Sequence, residues 1–165
     1  MAQSLIVLID TREQTPLQFP SVIQVQGKNK TYGFHIHTER TTLSIGDYCL
    51  ENHRNGCVVE RKGSLREVAM NCLSGDNTRF KTAITRLAES CRLPVLLFEG
   101  DYRSLLTPTT YVRSPGFAVD RLFQELLPLR IQMITCKSSS LVDRRHAGEM
   151  VLRLLIAGNN ICPEQ

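Results

Sequence analysis

Three short segments of the chain place acids and bases where they could act on a phosphate. Residues 46 to 62 read Gly46-Asp47-Tyr48, a polar turn, then Val59-Glu60-Arg61-Lys62. Asp10-Thr11-Arg12-Glu13 closes the first apolar run. On a strand, alternate side chains share a face, so Glu60 and Lys62 point one way and Arg61 the other. Two carboxylates about 5 Å apart repel by roughly 3 kcal/mol at an effective dielectric near 20. A divalent cation bound between them reverses that penalty. An ammonium beside it can neutralise a phosphate oxygen or orient an attacking water. This is the chemistry of phosphodiester hydrolysis.

Whether these groups meet depends on register. A loop of about five residues, Asn52-His53-Arg54-Asn55-Gly56, sets Asp47 across the hairpin from Glu60 or Arg61. Asn55-Gly56 could instead form a two-residue turn, which would pair Glu51 with Glu60 and carry Asp47 away. The longer loop is favoured because it aligns the two carboxylates. Asp10 and Glu13 add negative charge after the first strand, and Arg12 between them could grip a phosphate through two donors. Taken alone, that cluster reads first as a solvated turn with an internal ion pair.

The elements that must position these groups are legible in outline. Ser4–Ile9 is a continuous apolar run and reads as a buried strand. Pro16 to Thr31 reads as irregular, with two prolines, Gly27 and Asn29. Tyr32–Thr38 alternates, with Phe34 and Ile36 on one face and His35 and His37 on a polar one. Leu43–Glu51 and Cys57–Lys62 form the hairpin. Ser64 with Glu67 is a capping box opening a helix that Gly75 ends. Asp76 or Asn77 caps a second helix, with Phe80, Ile84, Leu87 and Cys91 on its apolar face. Pro94–Phe98 and Ile131–Cys136 are further strands, and 101–116 reads as a loop with one helical turn. A helix opens at Ser114-Pro115 and runs to Leu127. A last helix, capped by Ser139 or Ser140, stops at Gly158-Asn159. The order predicts an α/β fold: a mixed central β-sheet flanked by helices.

At 165 residues with 42% apolar content, the chain is expected to be one globular domain over 1–165. A net charge of +4 is mildly favourable for a polyanion partner. No apolar run reaches membrane-spanning length, and the first lacks the basic flank of a secretory signal. An intracellular protein is therefore expected, cytoplasmic in a bacterium or a virus-infected cell, or nuclear. The six cysteines include no Cys-x-x-Cys pair and read as reduced core residues. Lys28, Lys30, Arg40 and Arg54 read either as a DNA path or as a scattered solvated surface. Arg144-Arg145-His146 sits where cations oppose a helix dipole, a mild cost compatible with a phosphate or a partner acid.

Taken in order, Ile9-Asp10-Thr11-Arg12-Glu13, Leu43-Ser44-Ile45-Gly46-Asp47-Tyr48 and Val59-Glu60-Arg61-Lys62 resemble the nuclease domain of the XPF family of structure-specific endonucleases. That family belongs to the restriction-endonuclease-like, PD-(D/E)XK group. Arg79-Phe80, Arg86-Leu87 and Pro94–Gly100 also fit, so the resemblance covers residues 4 to 100. It implies a restriction-endonuclease-like sheet and Mg²⁺ or Mn²⁺ as cofactor. It implies Asp47, Glu60 and the Arg61 carbonyl as metal ligands, completed by Asp10 and Glu13. Lys62 would be the catalytic lysine, and Arg12, Arg61 and Arg79 would contact DNA. The substrate implied is branched or duplex/single-strand junction DNA, with a homodimer or partner protein held through the C-terminal helices. The alternatives are an inactive DNA-binding or scaffold module, and a junction resolvase or exonuclease of the same group. The family pattern has an aspartate where this chain has Arg66, and no helix-hairpin-helix domain is expected within these residues.

Overall fold

The computed structural model describes residues 3–74, 77–137 and 139–162. Seven strands form one sheet: β1 (Gln3–Asp10), β2 (Val22–Gln26), β3 (Thr31–Thr41), β4 (Tyr48–Leu50), β5 (Cys57–Lys62), β6 (Leu93–Glu99) and β7 (Gln132–Cys136). Their order across the sheet is β2-β3-β1-β4-β5-β6-β7. β1 lies parallel to β3 and antiparallel to β4; β5, β6 and β7 run parallel. The sheet is therefore mixed, as expected, but it is not a simple meander, because β1 inserts between β3 and β4.

Among the described residues, five helices flank it: α1 (Leu65–Leu73), α2 (Thr78–Ser90), α3 (Tyr102–Leu106), α4 (Pro115–Leu126) and α5 (Leu141–Gly158). β6 is buried along almost its whole length, which is why Pro94 to Phe98 reads as unbroken apolar sequence rather than alternation. Its side chains split between two cores. Val95 and Leu97 pack with Val7, Val59, Val151 and Leu155 under α5. Leu96 and Phe98 pack with Val68, Phe80, Ile84 and Leu122 under α1, α2 and α4. This three-layer arrangement sets the C-terminal ends of β1, β5 and β6 at the same edge of the sheet, with Asp10, Lys62 and Glu99 buried there.

The capping signals account for the helix starts. Ser64 Oγ accepts from the Glu67 amide at 3.2 Å, while the Glu67 carboxylate accepts from Gly63 N rather than closing the full box. Ser140 and Asp143 form a complete box at α5. Asn77 stands at the N-cap of α2 without a side-chain capping bond. Gly75 and Asp76, the expected break and alternative cap, lie outside the described residues.

Two expectations about strands are corrected. The segment 16–31 is not wholly irregular: β2 forms there, with Ile23 and Val25 buried and its other three residues exposed. Its short alternation is masked by the flanking prolines and Gly27. The strand expected over 43–51 shrinks to Tyr48–Leu50, because Gly46 turns the chain at φ +64°. A Cβ at Gly46 would meet Val58 Cγ1 at 2.5 Å, so only glycine fits this close approach to β5.

Candidate active site

The turn at Gly46 delivers Asp47 to the edge of β5. Asp47 N donates to the Val59 carbonyl at 2.8 Å, and Arg61 N donates back to Asp47 Oδ2 at 2.7 Å. Tyr48 pairs with Val59. The hairpin thus takes the longer-loop register, with a 3₁₀ turn over Glu51–His53. Asp47 and Glu60 line one cleft of about 260 Å³, closed by Arg12, Ser44, Ile45, Gly46, Ala83 and Arg86.

The charges in this cleft are poised against one another. Burial, then Glu60, then Glu13 push the Asp47 carboxyl up to about 7, against the bond from Arg61 N. Lys62 is buried and donates to Glu60 Oε1 at 2.7 Å, with Glu67 Oε1 at 3.5 Å. Burial alone would lower its pKa. Glu60, through charge and hydrogen bond, then Glu67 and Asp47 outweigh that and hold the ammonium above its ordinary value. The site therefore contains a proton-retaining aspartate, a glutamate and a firmly charged lysine.

The remaining acids are held differently. Asp10 is fully buried, and it accepts from Arg12 N at 2.8 Å, Arg12 Nε at 2.6 Å, Arg12 Nη2 at 3.0 Å and Leu43 N at 2.8 Å. Burial raises the Asp10 pKa, but these bonds outweigh it and leave the carboxyl below its ordinary value. Glu13 Oε2 accepts from Arg61 Nη1 at 2.6 Å and from the Tyr48 hydroxyl at 3.1 Å. Arg61 Nε also donates to Glu99, which in turn pairs with Arg144 Nη1 at 3.4 Å. Arg144 Nη2 donates to the Thr15 and Pro16 carbonyls. A chain of buried charge thus runs from β5 through β6 to α5 and braces the loop after β1.

Comparison with known proteins adds what geometry alone does not. The family model described as "ERCC4 domain" matches residues 9–127. The chain belongs to the ERCC4-domain family. This is a family of structure-specific DNA nucleases. Two solved structures resemble the fold. One is XPF from Aeropyrum pernix, at TM-score 0.62 and 18% identity, covering 92% of this chain and 60% of that one. The other is XPF from Aeropyrum pernix in complex with DNA, at TM-score 0.59 and 18% identity, covering 92% and 62%. The chain spans about three-fifths of the length of these structures. No curated protein sequence matches it.

All five acids and bases singled out in the sequence lie inside the matched ERCC4 region. The structure brings Asp47 and Glu60 together at one cleft, with the buried Lys62 bonded to Glu60. It does not bring four acids together: among the described residues, no group of three or more His, Cys, Asp or Glu is placed to hold a metal ion. Asp10 is tied to Arg12 and Leu43, and Glu13 to Arg61 and Tyr48. The Arg61 guanidinium, expected to face DNA, is instead bridged between Glu13 and Glu99 on the opposite side of β5. Arg12 does line the cleft, whereas Arg79 is exposed at the start of α2 and is absent from its lining. His35 and His37 are exposed on β3.

Three further residues bear on the site without having been placed in it by the sequence. Arg86 lines the cleft and donates to the Ser44 carbonyl at 3.2 Å. Its signal was present, since it sits two helical turns after Arg79. Arg144, a cation the sequence sets against the helix dipole, meets its partner acid in Glu99, whereas the role of Glu99 appears only in the fold, 38 residues from Arg61 and 45 from Arg144.

Proposed function

We propose that this ERCC4 domain is a divalent-metal-dependent endodeoxyribonuclease that hydrolyses phosphodiester bonds at branched or duplex/single-strand junction DNA. The observation that carries the reading is one cleft holding the Asp47 and Glu60 carboxylates beside the buried Lys62 ammonium, within an ERCC4-family chain. The donor set fits Mg²⁺ or Mn²⁺: two oxygen ligands on rigid elements, one of them an aspartate that does not readily carry its charge without a cation. Asp47, Glu60 and the Arg61 carbonyl would hold the ion. When bound, it supplies Lewis-acid polarisation of the phosphate and a more acidic water.

The protein's own groups have distinct work. Asp47 would give up its proton to solvent to serve as a ligand. Glu60 orients Lys62, whose ammonium faces the charge developing on the phosphoryl oxygens and positions the water for in-line attack. The products are a 3′-hydroxyl and a 5′-phosphate. Arg12 and Arg86, on the cleft wall, pair with phosphates flanking the scissile bond. Asp10 and Glu13 act as positioning residues: Asp10 fixes Arg12, and Glu13 fixes Arg61, whose amide in turn holds Asp47. α5 belongs to the same unit, because Arg144 ties it to Glu99. A homodimer or partner chain would use the C-terminal helices, where Phe117, Phe123, Leu127 and Met150 are exposed.

The test is cleavage of a labelled flap, a four-way junction and a blunt duplex with Mn²⁺, with Mg²⁺ and with EDTA. Cutting of a branched substrate, lost with EDTA and in Asp47→Asn and Lys62→Ala, is expected. Metal-independent cutting, or wild-type turnover in both variants, overturns the assignment. Binding without any cutting would instead make the domain a non-catalytic DNA-binding module.

A further inference from the structure

A second concavity of about 430 Å³ runs along α1. Its wall is formed by Arg66, Met70 and Leu73 of that helix and by Tyr111 and Arg113 of the segment before α4. Tyr111 is 71% exposed and Met70 60%, an unusual outlay of apolar surface for side chains flanking a charged site. The Arg66 guanidinium stacks 4.2 Å from the Tyr111 ring centroid. Among the described residues the lining contains two guanidinium groups and no carboxylate.

This groove is linked to the candidate catalytic centre through the first turn of α1. Glu67, next to Arg66, accepts from Gly63 N at 2.8 Å and lies 3.5 Å from Lys62 Nζ. Arg66 thus adjoins in sequence the residue that lies against Lys62, and it opens the groove's wall on the same helix. In a duplex the base faces are stacked on one another and cannot use an exposed aromatic ring. An unpaired strand offers both base faces and phosphates, and this is the combination that a ring between two arginines recognises.

We propose that this groove receives the unpaired strand of the DNA substrate, one base stacking on Tyr111 and the neighbouring phosphates pairing with Arg66 and Arg113. The inference rests on the nuclease reading above and extends it to the substrate's single-stranded arm. It makes branch recognition a property of this domain itself.

The test is fluorescence anisotropy of the full chain in EDTA, using labelled oligo-dT and a blunt duplex of the same length. Tyr111→Ala is expected to weaken oligo-dT binding about tenfold, within the range measured for losing one base stack. Duplex binding should stay within about twofold, and Tyr111→Phe should bind as wild type, since a ring alone suffices. Unchanged oligo-dT binding in Tyr111→Ala overturns the proposal. So does an equal loss on both probes. A dimer that becomes monomeric in Tyr111→Ala by sedimentation velocity overturns it too, because the face would then belong to a second copy. If Tyr111→Ala cuts a flap and binds oligo-dT like wild type, the groove falls and the nuclease stands. If wild type binds oligo-dT through Tyr111 but cuts nothing, the groove stands and the nuclease falls.

Discussion

Asp47 is asked to be charged in a place that resists charge. Its folded pKa of about 7 lies above its ordinary value of 3.8, so the folded protein binds this proton more tightly than the unfolded chain does. Its contribution to stability is fully present below that ordinary value and is lost as pH climbs towards about 7. The metal-free protein should therefore lose melting temperature across this window, and Asp47→Asn should flatten the loss while abolishing cleavage. Differential scanning fluorimetry at several pH values decides it; an equal slope in the variant would show that the strained charge lies elsewhere. Adding Mn²⁺ above pH 7 should raise the melting temperature of wild type but not of Asp47→Asn. At this scale much was legible from sequence. Strand alternation put Glu60 and Lys62 on one face, and the loop length put Asp47 beside them. Arg61 was not legible, because Glu13 and Glu99 reach it from β1's loop and from β6, and no local spacing encodes that meeting.

The elements matter here for the angles at which they deliver those side chains. Gly46 occupies the left-handed region, which costs other residues about 1–2 kcal/mol, and an added methyl also collides with Val58. Gly46→Ala should therefore lower the melting temperature by about 5 °C or more. It should also reduce cleavage more than any partial unfolding explains, since Asp47 follows directly. Wild-type turnover in a stably folded Gly46→Ala would mean that the turn does not set the site. At the other face of the sheet, Gly148 of α5 lets the helix touch the backbone of Gln18: a Cβ there would meet the Gln18 carbonyl oxygen at 2.0 Å. Gly148→Ala is expected to destabilise through undocking of α5, read as a lower denaturant midpoint. The long strands and capped helices were visible in the sequence because burial and capping are local signals. β2 and the shortened β4 were not. One is framed by breakers that usually end structure, and the other is cut by a single backbone angle that no residue count reveals.

Across the whole molecule, a net charge of +4 is too small to explain DNA binding by bulk attraction. What matters is where cations are left to act. Arg61 and Arg144 are buried or half-buried against acids, so they contribute structure rather than reach, and the buried Lys62 acts only within the site. Arg12 keeps a largely exposed side chain while paired to Asp10, and Arg86 is exposed on the cleft wall. Binding through such a small set should show a modest salt dependence, its slope set by the number of phosphates neutralised. Arg86→Ala should then reduce the slope of log affinity against log salt by about 1, uniformly across substrates, because a phosphate contact carries no sequence information. Its one bond to the Ser44 carbonyl is exposed, so the melting temperature should stay within about 2 °C of wild type. Titrations at several salt concentrations, with the same junction probe for both proteins, measure this directly. An unchanged slope would place Arg86 off the DNA path and leave Arg12 as the cleft's phosphate contact.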